Sequence, residues 1–456
     1  MARLRTVFRC TDCGADSPKW VGRCPSCEAW NTLVEEVEAA APPPTLGRPA
    51  RPPVPIAHVD QSEGAPVPTG SPELDRVLGG GLVPGSVTLV GGEPGVGKST
   101  LLLEVAARRA ALMGGTVLYV TGEESLSQVR ARAERLGAVS PGLWLASETS
   151  IPAVLAAIDS TTPDLVIIDS IQTMTEPDLG SAPGSVVQVR ECAHRLVREA
   201  KERTVTIVLV GHVTKDGSLA GPRVLEHVVD TVLSFEAEHH ALRLLRATKH
   251  RFGPTNELGL FEITDAGLVP VADPSGLFLT DRRPGVAGSA VVAIVEGHRP
   301  LLVEVQALVS QSALAMPRRS AQGIDQGRLS MLLAVLEQRA GVPFTGLDVY
   351  VSVAGGVRLT EPGSDLGLCL ALASARLDRA VAPTVVACGE VGLVGELRSV
   401  TQMPRRLTEA CRLGFTRAVV PASSPNGVEG IDLCRAVSLA DALAVTGLGP
   451  VDERAG

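Results

Sequence analysis

Aromatic residues make up only 3% of this 456-residue chain, and no apolar run approaches the ~18 residues that a membrane-spanning helix needs. Met1-Ala-Arg-Leu-Arg5 is followed by no apolar signal segment, so a cytoplasmic location without membrane contact is expected. Positive charge is also scarce. A net charge of −8 excludes a protein coated in basic residues, so contact with nucleic acid has to come from local loops or from a pore formed on assembly. There is no tandem repeat, and no lysine follows Lys249. What remains is ordinary globular material: 45% hydrophobic and 20% charged residues, over a length that suggests about three domains. Nine cysteines divide into a close-set N-terminal four and five scattered ones, Cys192, Cys369, Cys388, Cys411 and Cys434, which are expected to be buried thiols rather than disulfides.

The strongest positive signal is Gly92-Glu93-Pro94-Gly95-Val96-Gly97-Lys98-Ser99-Thr100, a G-x-x-x-x-G-K-[ST] run. The apolar run Ser86–Val90 before it reads as a buried strand and the run from Leu101 as a helix, so the loop has the neighbours its chemistry requires. Its glycines let backbone N–H groups face phosphate oxygens at a helix N-terminus. Lys98 then reaches the β- and γ-phosphates and the Ser99 hydroxyl ligates Mg²⁺; the bland alternative is a chance glycine turn. Further strands are expected at Thr116–Val120, Asp164–Ile168 and Val205–Val210, alternating with helices as in a parallel sheet with crossovers. The second of these runs into Asp169, where a carboxylate would hold the Mg²⁺ shell. The first runs into Glu123 and Glu124, one of which would orient or deprotonate the attacking water; the alternative is an acid-rich first turn of a helix capped by Ser125 or a neighbour. The spacing does not choose between them. Gly184–Arg203 shows helical apolar spacing, with His194 off the stripe and expected to be exposed. Thr214-Lys215-Asp216 puts its acid one residue early for a guanine-reading pattern, so ATP is the expected nucleotide.

Cys10-x₂-Cys13 and Cys24-x₂-Cys27 form a four-cysteine array suited to tetrahedral Zn²⁺; a redox pair is the competing reading. So short a module draws its folding free energy largely from the metal. Trp20 and Trp30 are expected to pack this ribbon rather than stack on bases. The organisation that follows is a zinc ribbon at 1–35, a Pro-rich linker at 36–66, an ATPase domain at 67–273 and a C-terminal α+β domain at 274–456.

With Gly211-His-Val-Thr-Lys-Asp-Gly217, Leu219–His227 and Lys249-His-Arg-Phe-Gly253 added, the chain resembles the RadA (Sms) family of bacterial DNA repair proteins over nearly its whole length. The family's Lys-Asn-Arg-Phe-Gly carries His250 here at its second position. The resemblance implies a RecA-like ATPase core in a hexameric ring, which binds single-stranded DNA and drives branch migration of recombination intermediates with a RecA-type recombinase as partner. It makes Lys249 and Arg251 contacts to a neighbouring subunit's γ-phosphate, and His212 a γ-phosphate sensor; a solvated basic hairpin and a structural histidine are the alternatives. RecA-like rings turn the loops after Asp169 and Gly211 to the channel, which makes Lys215 and Arg223 candidates for DNA phosphate contacts. No aromatic residue lies in either loop, so base stacking is not expected to dominate.

The C-terminal part is similar to the proteolytic domain of Lon proteases. Ser364 falls near the place of the nucleophile, but the general-base lysine is missing, and Arg405 and Arg406 cannot replace it because a guanidinium stays protonated. A scaffold for ring assembly is therefore expected, its run Arg405, Arg406, Arg412 and Arg417 being either a DNA-facing surface or a solvated helix face. An ATP-dependent protease and a zinc-bearing adaptor that uses ATP only as an assembly switch are the competing functions.

Overall fold

The computed structural model describes residues 4–10, 15–26, 28–39, 55–58, 64–212, 224–237, 242–314 and 316–449. They fall into two compact units, Met1–Ala237 with Ala241–Val271, and Glu238–His240 with Ala272–Gly456. No helix among the described residues is long and apolar enough to cross a membrane.

The first unit begins with a three-stranded antiparallel ribbon, β1 (Leu4–Cys10), β2 (Asp16–Ser17) and β3 (Leu33–Ala39), in the order β2-β1-β3. Its apolar cluster is small: Cys10, Cys24 and Leu33, with Phe8, Ala15 and Val21 against them. Trp20 and Trp30 are not in it. The two residues are 56% and 70% exposed, their rings approaching each other only over Gly22, contrary to the expected packing, because so short a chain has no second layer to cover them.

The rest of this unit is built on nine strands. After α1 (Pro72–Val77) come β4 (Val87–Gly92), α2 (Lys98–Met113), β5 (Val117–Thr121), α3 (Leu126–Arg135), β6 (Leu143–Ser147), α4 (Ile151–Thr161), β7 (Leu165–Asp169), α5 (Val186–Arg203) and β8 (Thr206–His212). Then follow α6 (Val224–Val228), β9 (Thr231–Ala237), β10 (Leu242–His250), β11 (Leu258–Thr264) and β12 (Gly267–Pro270). The sheet order is β12-β11-β10-β9-β4-β8-β7-β5-β6, parallel from β9 to β6 and antiparallel from β9 to β12. The central parallel strands β4, β5 and β7, and β8 over residues 206–211, are buried along their length because helices cover both faces. Val117 and Tyr119 of β5 pack towards α2 and α3, whereas Leu118 and Val120 pack towards α4 and α5. This is a RecA-like P-loop ATPase fold, α/β in class. His194 on α5 is exposed, as its place off the apolar stripe predicts.

The second unit runs α7 (Pro274–Leu279), β13 (Ser289–Glu296), β14 (Arg299–Gln311), β15 (Arg319–Gln322), α8 (Gln326–Arg339), β16 (Leu347–Val353), α9 (Asp365–Leu377) and β17 (Val385–Ala387). It ends with β18 (Glu390–Val391), β19 (Leu397–Arg398), α10 (Met403–Arg412), β20 (Arg417–Pro421), β21 (Asp432–Ala436) and α11 (Leu439–Val445). Seven strands form one mixed sheet, β15-β16-β14-β13-β17-β20-β21. Helix α9 lies so close to β13 that a Cβ on Gly367 would sit 2.1 Å from Cγ1 of Val292. Val291 and Ala293 face the other way, into a cluster with Met403, Leu407 and Ala410 of α10. At the buried end of α10, Arg406 is 1% exposed; it forms a two-pronged pair with Glu361 and donates to the carbonyls of Ala293 (2.8 Å) and Thr401 (3.0 Å).

Removing one partner of such a buried pair strands the other charge. Glu361→Ala is expected to cost about 3 kcal/mol in urea unfolding of this unit, and Glu361→Leu with Arg406→Met distinctly less. Equal losses in the two variants would contradict this account.

Candidate nucleotide site

The parallel strands bring the chemistry-bearing residues to one edge of the sheet. Gly92 at the end of β4 is in register with His212 of β8 and Phe235 of β9; Thr121 of β5 is in register with Asp169 of β7. One strand separates β4 from β7, so the phosphate loop and Asp169 face each other across about 10 Å, room for a phosphate and its metal. Two glycines make the loop possible. A Cβ on Gly92 would lie 2.3 Å from the carbonyl oxygen of Phe235, and Gly97, the N-cap residue before α2, has φ 111°. The resulting cradle of helix N–H groups fits a nucleotide's phosphates.

Lys98 is 4% exposed, and its ammonium donates to the carbonyls of Gly92 (2.7 Å) and Glu93 (3.0 Å). An ammonium has three donors, so one is left for phosphate. Burial lowers its pKa, and the charges of Asp169 and Glu123 oppose that shift. The site thus holds a cation ready for an anionic ligand, with two acids facing it.

The two glutamates differ. Glu124 is tied by an ion pair to Arg132 of α3, while its backbone N–H donates to the Thr121 hydroxyl at 3.0 Å. Glu123 accepts a 2.6 Å hydrogen bond from the hydroxyl of fully buried Ser170 and lies within the field of Lys98. Ser125 caps α3 in a capping box with Gln128, so the acid-rich turn is both a helix start and the rim of the site. Asp169 accepts from the Tyr119 hydroxyl at 2.6 Å. Tyr119 escaped the sequence reading, although a tyrosine in a strand buried on both faces needs a polar partner. Arg243 escaped it too; its Nε donates to the Val96 carbonyl at 3.1 Å and braces the loop, a contact set by the register of β10.

His212 ends β8 beside Gly92, but its side chain lies outside the described residues, as do Lys215 and Arg223 entirely. The other channel-loop candidate is described. Buried Gln188 of α5 gathers it by accepting from the N–H of Glu176 (2.8 Å) and donating to the carbonyl of Ser181 (3.0 Å).

Lys249 and Arg251 do not join these groups. His250 pairs with Thr231 at the start of β9, so β10 delivers both to the opposite edge, four residues or about 13 Å from the Gly92 register. Lys249 donates to the carbonyls of Glu226 (2.6 Å) and Val229 (2.7 Å), capping the C-terminal end of α6. Arg251 pairs with buried Asp230 at 3.0 Å yet remains 62% exposed.

In the second unit Ser364 is buried, and its hydroxyl donates 2.9 Å to the carbonyl of Glu361 in its own turn rather than to a base. The basic run is largely committed: Arg406 to Glu361, Arg412 to Asp273 and Glu409, Arg405 to the His298 carbonyl and Arg417 to the Cys434 sulfur. Cys388, beside Arg406, has its thiol pushed up to about 12 by burial, and burial does the same to Cys192, which makes both unreactive.

In the ribbon, Cys10 and Cys24 come together at 1% exposure, and the Ser26 N–H points to the Cys24 sulfur at 3.4 Å, as in a metal knuckle. The thiol donor set fits zinc. Cys13 and Cys27 lie outside the described residues.

Comparison with known proteins adds two family matches, an AAA domain over residues 53–218 and a rubredoxin metal binding domain over residues 8–35. The DNA repair protein RadA of Halalkalibacterium halodurans is 49% identical over 98% of this chain and 99% of its own length. Its counterparts in Bacillus subtilis (48%, covering 98% and 100%) and Streptococcus pyogenes (46%, covering 99% and 99%) are similar throughout as well.

One zinc per chain is expected by elemental analysis of the purified protein. Cys24→Ala should release it and leave nucleotide binding unchanged; retention of zinc in that variant would reject the four-thiolate site.

Proposed function

Because this chain belongs to the RadA family of DNA repair proteins, we propose that it is an ATP-driven cytoplasmic motor that binds single-stranded DNA and promotes branch migration of recombination intermediates. The convergence of Lys98, Asp169 and Glu123 at one sheet edge, with Arg251 at the other, carries this reading. At the first edge, loop N–H groups and Lys98 hold the phosphates, Ser99 and Asp169 hold the metal and its water shell, and Glu123 orients the attacking water. Bound Mg²⁺ supplies neutralisation of the charge that develops on the phosphates. Glu124, spent on Arg132, is not the base.

The opposite edge cannot serve its own nucleotide. Arg251 is exposed there, so it acts on the site of a neighbouring copy, and head-to-tail repetition of that contact closes a ring, hexameric as the family resemblance implies. Lys249 supports it indirectly by fixing α6, which follows the channel-loop candidates Lys215 and Arg223 in the chain. His212 senses the γ-phosphate beside Gly92. The zinc ribbon, with its two exposed tryptophans, is the element for contact with a RecA-type recombinase.

ATP turnover should rise with single-stranded DNA, weaken with salt and vanish in Lys98→Ala. Turnover that ignores DNA would instead favour the assembly-switch reading. Glu123→Gln should lower kcat by about 10² or more while Glu124→Gln stays within a few-fold, and a reversal of that order would reassign the base. Arg251→Ala alone should lose about 10³ in rate, and mixing it with Lys98→Ala should restore part of the activity, since mixed rings contain intact composite sites. No recovery on mixing, with subunit exchange verified, would place Arg251 outside the reaction.

A further inference from the structure

Two hydroxyl groups cross between the ends of β5 and β7. Tyr119 of β5 donates to Asp169 of β7, and Ser170, just after β7, donates back to Glu123, just after β5. The strands are neighbours, with Thr121 paired to Asp169 and the Gly122 N–H donating to the Asp169 carbonyl at 2.8 Å. We propose that Tyr119 and Ser170 are positioning residues that divide the work of the two acids: Tyr119 fixes Asp169 for the divalent cation, and Ser170 fixes Glu123 for the attacking water.

The chemistry of the donors supports the division. A carboxylate offers about four lone-pair sites on two oxygens. A neutral hydroxyl holds one carboxylate oxygen in place and keeps the full negative charge. An arginine would cancel the charge, which is the fate of Glu124 beside Arg132. Tyr119 is 1% exposed, so Asp169 at 2.6 Å is the partner its buried hydroxyl has. Ser170 is completely buried and has no second orientation open to solvent. Gly122 completes the arrangement: a Cβ there would lie 2.0 Å from the Thr173 hydroxyl, so only glycine lets the chain bring Glu123 over Ser170.

The inference rests on the ATPase reading above, and two variants of the full chain test its halves separately. Tyr119→Phe keeps the ring and removes the donor. It should raise the Mg²⁺ concentration at half-maximal binding of a fluorescent ATP analogue by about tenfold, with affinity in EDTA unchanged. Ser170→Ala should leave both binding measurements alone and lower kcat about tenfold at unchanged KM. Thermal melts of both variants record any general loss of structure. The proposal is overturned if the Mg²⁺ midpoint of Tyr119→Phe equals that of wild type, if Ser170→Ala turns over normally, or if either variant loses affinity equally with and without Mg²⁺. A wild type that hydrolyses no ATP would reject the ATPase reading itself, whereas the Mg²⁺ midpoint would still decide the role of Tyr119.

Discussion

The first unit depends on keeping one lysine charged while it is almost out of water. Lys98 sits in a strand-to-helix turn with 4% exposure, where desolvation favours loss of its proton. Four groups offset that cost: the carbonyls of Gly92 and Glu93, and the fields of Asp169 and Glu123 across the cleft. The two fields require the strand order seen. If β8 did not separate β4 from β7, the acid would pair with the lysine and leave no room for phosphate. The glycines at 92 and 97 are required for the same reason, since side chains there would push the loop off the backbone of β9 and the side chain of Leu268.

The antiparallel extension from β9 to β12 has a different consequence. A parallel strand returns its C-terminal end to the nucleotide edge, whereas β10 runs backwards and carries its last residues away from it. Lys249 and Arg251, adjacent to a buried acid and to the carbonyls of α6, therefore form a second chemical edge on the same sheet. A sheet with two such edges suits repetition, because the cation of one copy complements the phosphate site of the next. In the ring proposed above, hydrolysis and assembly share residues.

In the second unit, packing engages the serine that the sequence singled out. Ser364 occupies a helix start, but its proton is engaged by the Glu361 carbonyl, and the nearby cation is a guanidinium locked on the Glu361 carboxylate. Such a pair cannot accept a proton from serine. It holds the turn before α9 against α10 and β13, a structural role consistent with its burial.

Much of the site was legible in the chain because it depends on local geometry. A P-loop needs glycine, lysine and serine at fixed spacing within nine residues, and metal knuckles need cysteines with two residues between them, so both stand out without knowledge of the fold. The runs that end at Asp169 and Glu123 were legible for a related reason, since apolar strands buried on both faces stop where the polar edge begins. The choice between Glu123 and Glu124 was not. It turns on Ser170, 47 residues away, and on Arg132 one helix later; the contact of Tyr119 with Asp169 spans 50 residues. The exposed tryptophans of the ribbon were misjudged because residue type alone does not reveal whether a second layer exists to cover them. By itself the sequence determined which backbone conformations and ligand types occur, since these are settled over a few residues. Only the tertiary structure decided which side chains meet and at which edge, because strand register and direction depend on pairings between distant segments.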